Sequence, residues 1–157
     1  MDFSSFAELA AHFSAVERRV GPAIVKELQA QGQAIEAQAK ARFGTYQAGW
    51  AHLKESTMRD RERKGFTPND PLFRSGALRD SVGFTVEGES LFVGIEPGKT
   101  LQRPSGKSVD AALVMAVHEN GSTDGRVPAR PVFGIVAEEL ENNAYALGLG
   151  IAARAGL

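Results

Sequence analysis

Three histidines, His12, His52 and His118, are the chain's candidates for metal binding or general-base chemistry. A metal site on one helix needs ligands at recurring spacings such as HExxH, and no such pattern or paired carboxylate accompanies any of the three. His118 and Glu119 are adjacent, so they leave a helix on different faces. His118 is therefore expected to end a helix with a local hydrogen bond. Ser75-Gly76 and Ser105-Gly106 offer hydroxyls, but a nucleophile needs a base and an orienting group, and the G-x-S-x-G elbow is missing. Gly98-Lys99-Thr100 has the ending of a phosphate-binding loop. The full G-x-x-x-x-G-K-[ST] pattern needs glycine five residues before Gly98, where Val93 stands, and Pro104 blocks the helix that should follow. Two basic segments complete the inventory. One is the run 59–64, with Arg59, Arg61, Arg63 and Lys64 among two acids. The other is the loop 97–107, with Lys99, Arg103 and Lys107 and no acid. Neither is interleaved with aromatics as a base-stacking platform would be. No catalytic residue, metal or cofactor is expected.

Composition narrows the function classes further. Lysines and arginines number 18 and acids 19, a formal net charge of -1, which lacks the basic excess of a protein that coats nucleic acid. There is no cysteine, which excludes disulfides, thiolate metal sites and cysteine nucleophiles. No apolar run approaches the length of a membrane span, and the first residues lack the basic and apolar regions of a signal peptide. The 157 residues suit one soluble domain with a core of its own.

The elements that must carry these residues follow from periodicity. Phe3, Phe6, Ala10, Phe13, Val16 and Val20 form a helical stripe. Gly21-Pro22 predicts a break or kink, with a second helix from Ala23 to about Phe43 on Ile24, Leu28, Ile35 and Ala39. Trp50, Leu53 and Met58 fit one short helix, 59–71 reads as a charged run and a loop, and Ser75 suits a helix cap. Val82, Phe84 and Val86, the Gly88-Glu89 turn, then Leu91, Val93 and Ile95 predict a β-hairpin, with Phe92 apolar on its other face. Ser108 is expected to cap a helix ending at Asn120-Gly121. A closing helix is expected over 131–146, with Pro131 in its first turn, followed by a fraying tail over 147–157. The fold class is α+β. A helical region, 1–44, precedes a core, 45–134, that holds a small antiparallel sheet, and the closing helix packs on that sheet.

Three blocks of sequence resemble the phage virion morphogenesis family, the tail-completion and head–tail joining group that includes the Mu-like G proteins. The first is Trp50-Ala-His-Leu53 followed by Ser56-Thr57. The second is Pro71-Leu72-Phe-Arg-Ser75-Gly76-Ala-Leu78-Arg-Asp-Ser-Val82, leading into the hairpin. The third is His118-Glu-Asn-Gly121 and then Val127-Pro128-Ala-Arg130-Pro131-Val-Phe133-Gly. Where the family has Tyr-Ala before the histidine and Phe-Leu-Gly after Arg-Pro, this chain has Met115-Ala116 and Val132-Phe133-Gly134, which stay apolar. The resemblance implies a non-enzymatic virion component, made in the host cytoplasm. It would form a ring of identical subunits, in isolation or only on assembly, and contact other tail or head-connector proteins. No membrane or nucleic acid partner is expected. The segments 59–71 and 97–107 are the expected contacts with neighbours. Two other classes stay open: a nucleic-acid-binding module using 97–107, and a small enzyme whose site sequence spacing does not reveal.

The motif residues also have physical roles. Gly76 permits a turn or close approach, Leu78 and Val82 pack beneath the hairpin, and the two prolines of 128–131 stiffen their loop. Arg130 suits a forked clamp on a carbonyl or carboxylate, either bracing its own loop or holding a second subunit.

Overall fold

The computed structural model describes residues 4–103, 106–141 and 144–156, so Phe3, Pro104 and Ser105 lie outside the described residues. The α+β class is as the sequence predicts. Helix α1 spans Phe6–Ala41 without a break. The break expected at Gly21-Pro22 is absent, so one helix replaces the expected two. Pro22 is exposed, and nothing lies near a Cβ built on Gly21, so the carbonyl that loses its donor can take water. From Ala23 on, Leu28, Ile35 and Ala39 are buried. Earlier in the helix Phe6 is 85% and Phe13 63% exposed, while Val16 and Val20 are half-buried.

Strands β1 (Val82–Glu87) and β2 (Ser90–Ile95) form the expected antiparallel hairpin, paired from Val82 with Ile95 to Glu87 with Ser90. Gly88 takes φ +58 at the turn, a conformation glycine adopts freely. The hairpin lies against α1 at one close approach. A Cβ on Gly32 would stand 2.3 Å from the Phe84 ring.

Several boundaries differ from the sequence expectation. Helix α2 covers Glu55–Arg63, so Trp50 and Leu53 precede it and only Met58 lies on it. The run 59–63 is helical, not loop. Its i,i+3 and i,i+4 pairs, Arg59 with Glu55 and Arg63 with Asp60, make it a largely self-neutralised face. Helix α3 (Ala77–Asp80) begins at Gly76, whose φ of +84 replaces the expected Ser75 cap, and Ser75 itself is exposed. The predicted loop 97–107 contains the first strand of a second antiparallel hairpin, β3 (Thr100–Gln102), which pairs with β4 (Ser108–Asp110) just beyond it. Ser108 therefore sits in a strand and accepts a hydrogen bond from Gln102. Asp110 caps α4 (Ala111–Asn120) instead, its carboxylate accepting from the N–H groups of Ala112 and Leu113.

The closing helix is two helices, α5 (Phe133–Glu141) and α6 (Ala144–Ala155). The predicted fraying tail is thus mostly helix. Gly150 meets Glu27 and Gly156 meets Arg19, so α6 runs antiparallel to α1. Small residues allow the approach, since a Cβ on Gly150 would stand 2.6 Å from the Glu27 carboxylate. Arg154 donates to the buried Glu27 at 2.5 Å. One continuous apolar core joins Ile35, Ala39 and Phe43 of α1 to Val82, Ile95, Met115, Val132 and Val136. No helix of the described residues is long and apolar enough to cross a membrane.

Candidate functional site

The motif residues come from three distant stretches of chain, yet six of them line one cleft of about 390 Å³: Leu72, Ser75, Gly76, Leu78, His118 and Arg130. The floor is built first. Arg61 of α2 is only 9% exposed and donates to the carbonyls of Asp70 and Phe73. Between those two carbonyls Leu72 is held at φ +59, a conformation that costs a non-glycine residue roughly 1–2 kcal/mol. The Pro71 carbonyl accepts from Gly44 N–H at 2.8 Å, which fixes the loop to the end of α1.

The opposite wall comes from α4 and the loop after it. Gly121 takes φ +80, and a Cβ there would meet Val127 O and Ala129 N at 3.2 Å, so both backbone angle and space require glycine. The loop closes when Ser122 Oγ accepts from Val127 N–H, and Arg130 N–H then donates to the His118 carbonyl at 2.6 Å. Pro128 and Pro131 flank this return. Arg130 is 4% exposed and donates to the Ala51 carbonyl at 2.7 Å, so in the folded chain it braces the Trp50–Leu53 segment. Trp50 is buried in the core beside that segment, and Phe133 packs against the same core.

The adjacency of His118 and Glu119 divides them between two tasks. Glu119 was not foreseen as a functional residue. Its carboxylate accepts from the N–H groups of Val132 at 2.8 Å, Phe133 at 3.3 Å and Gly134 at 2.6 Å. It therefore caps α5 from the preceding helix, where the helix dipole favours negative charge. This explains why α5 starts at Phe133 rather than Pro131. His118 turns to the cleft instead. Its Nδ1 is buried without a hydrogen-bond partner, contrary to the local bond expected for it. Burial pushes its pKa below the ordinary value, and the Arg130 and Arg61 charges push it the same way.

The cleft is electropositive. Arg61, Arg74, Arg103 and Arg130 line it together with His118, and no carboxylate does. None of the four arginines forms an ion pair among the described residues, although Asp70 lies near enough to Arg61 to favour its charge. Burial lowers the Arg61 pKa, and the Arg74 and Arg130 charges lower it further. A shallower depression shares Arg74, Ser75, Gln102 and Arg103 with the cleft mouth and adds Lys64 and Phe66. Arg74 lies over the Phe66 ring, 4.9 Å from its centroid.

The remaining expected interface residues divide differently. Arg59, Arg63 and Lys64 are exposed but paired within α2 and its end, and Lys99 pairs with Glu96 at 2.8 Å. Arg103 and Lys107 are exposed around the β3–β4 tip, joined through Arg103 N–H to the Lys107 carbonyl. Arg61 is a buried brace and does not present its charge on the outer surface as expected. Arg74 was missed because a single arginine beside a glycine turn carries no pattern. Among the described residues, no group of three or more His, Asp or Glu side chains is placed to hold a metal ion. Comparison with known protein families, with curated proteins and with solved structures finds no match to this chain.

Proposed function

We propose that this chain is a non-enzymatic structural subunit of a phage virion, acting at the tail terminus or neck to complete the tail or join it to the head. It would work as a ring of identical copies against other tail or head-connector proteins. On this reading it resides in the virion, after assembly in the host cytoplasm. The observation that carries the reading is what the motif residues do. Gly76, Gly121, Pro128 and Pro131 shape loops, while Arg61 and Arg130 spend donors on backbone carbonyls. These roles preserve a shape, and shape is what an assembly subunit must present. Labelling the chain in virions of the phage that encodes it, followed by electron microscopy, tests the reading. The expected result is label confined to the neck or tail end. Label absent from virions would refute it.

A second reading has one observation in its favour. The loop 97–107 brings Arg103 to the mouth of a cleft lined by basic groups, which suits a nucleic-acid-binding module. That reading requires oligonucleotide affinity that falls steeply with salt, with a shallower salt slope after removal of Arg103 and Lys107 charge.

A further inference from the structure

Two features of opposite charge stand at different places on this molecule. The first is the cleft, whose two buried guanidiniums, Arg61 and Arg130, hydrogen-bond only to backbone carbonyls, with the Asp70 charge near Arg61 the one acid that favours either. Buried charges are ordinarily paired, and these two disfavour each other. A carboxylate entering past Arg74 and Arg103 would offset both costs.

The second feature is the tip of the β1–β2 hairpin. Glu87 and Glu89 flank Gly88 there, both exposed, and their carboxylates take part in no ion pair or hydrogen bond among the described residues. Just behind them on β2, Phe92 is 57% exposed, its ring lying over Gly94. An acidic tip backed by an aromatic ring complements a basic mouth with apolar walls at Leu78, Leu101 and Val114.

The tip cannot serve the cleft of its own chain. Leu78 lines the cleft just before β1 begins, and β1 then carries the chain roughly 17 Å further to Glu87. Packing of Phe84 on Gly32 holds the hairpin against α1 and prevents it from folding back.

We infer that the Glu87–Glu89 hairpin tip of one copy docks in the basic cleft of the next, a carboxylate meeting Arg103 and Arg74 at the mouth. Tip and cleft are different surfaces, so the contact is heterologous and propagates head to tail, as a ring requires. The inference rests on the reading of the chain as a self-assembling subunit and names the interface. A phosphate backbone is the less fitting occupant, because the site is a short cleft and the aromatic of the adjoining depression, Phe66, is covered by Arg74.

Native mass spectrometry of the full chain tests this at low ionic strength. The variants are Arg103→Glu for the cleft and the pair Glu87→Gln with Glu89→Gln for the tip, so that no swapped charge pair can form between them. All three positions are exposed, and circular dichroism checks that each variant keeps the fold. The wild type should self-associate and come apart near 1 M salt, where screening reaches about 3 Å. Each variant alone should associate about tenfold or more weakly. An equal mixture should form dimers and nothing larger, because only one intact tip and one intact cleft remain. A wild type that stays monomeric, variants that assemble like the wild type, or a mixture that stays monomeric would each overturn the interface. So would loss of single-stranded oligonucleotide binding in Arg103→Glu with self-association unchanged. Virion labelling would still be found at the neck or tail end if only the interface were wrong.

Discussion

Arg130 and His118 show how closely structure and charge are bound together at single residues. Arg130 holds the Ala51 carbonyl, and its charge also helps keep His118 neutral. Arg130→Met should therefore do two things at once. It leaves a carbonyl unsatisfied, which costs about 1–3 kcal/mol, partly offset by removing a buried charge. It should also raise the His118 pKa only part of the way back, because burial is the larger cause. Nitrogen-15 chemical shifts of the imidazole read this directly, and an unchanged titration would remove Arg130 from the explanation. The lowered His118 pKa has a stability consequence of definite sign. Below the ordinary value near 6.5 the unfolded chain takes up a proton that the folded chain resists. Stability is then full above that pH and declines as pH falls toward the folded-state pKa. His118→Gln should flatten this decline in thermal melts collected across that range.

At the scale of elements, the Gly32–Phe84 approach decides how α1 seats on the hairpin. Gly32→Ala would gain up to about 1 kcal/mol of helix propensity. It would also drive a methyl into a ring whose nearest atoms, Cδ2 and Cγ among them, are no free chain end. Overpacking of this kind costs roughly 1–3 kcal/mol, so a net loss of stability is expected in urea titrations. A stabilised variant would show that the hairpin yields. The hairpin itself was legible in the sequence, because alternation of Val82, Phe84 and Val86 and the glycine turn are both local signals. Helix α4 was legible for the same reason. Cap identities were not, since Ser108 and Asp110 are equally good caps and strand pairing with Thr100–Gln102 settled between them. The Glu119 cap joins two elements 13 residues apart and leaves no local trace. The charged run 59–64 leaves Arg59 and Arg63 exposed. It misled at Arg61, whose burial depends on a loop folding over it. Of the cleft, the motif residues were visible individually, but their convergence with Arg74 was not.

At the scale of the whole molecule, α6 closes onto α1 through Glu27. Hydrogen bonds from Gln31 and Arg154 hold the Glu27 carboxyl below its ordinary value near 4.5, against the effect of burial. That stabilisation is present above the ordinary value and is lost as pH falls below it toward the folded-state pKa. Protection factors of the α6 amides, taken relative to the intrinsic exchange rate at each pH, should therefore fall on acidification through this window, while Glu27→Gln should show no such dependence. Identical acid behaviour in both proteins would dissociate α6 docking from Glu27. The same molecule leaves Phe6 and Phe13 exposed at one end of α1. The central claim is that this shape serves virion assembly, and the most direct test is restoration of joining. Purified chain would be added to a lysate that contains heads and tails but lacks it, and joined particles or tails of finished length would be counted. The account predicts that added protein restores them in proportion to its amount. Heads and tails that join, or tails that finish, equally well without it would contradict the account.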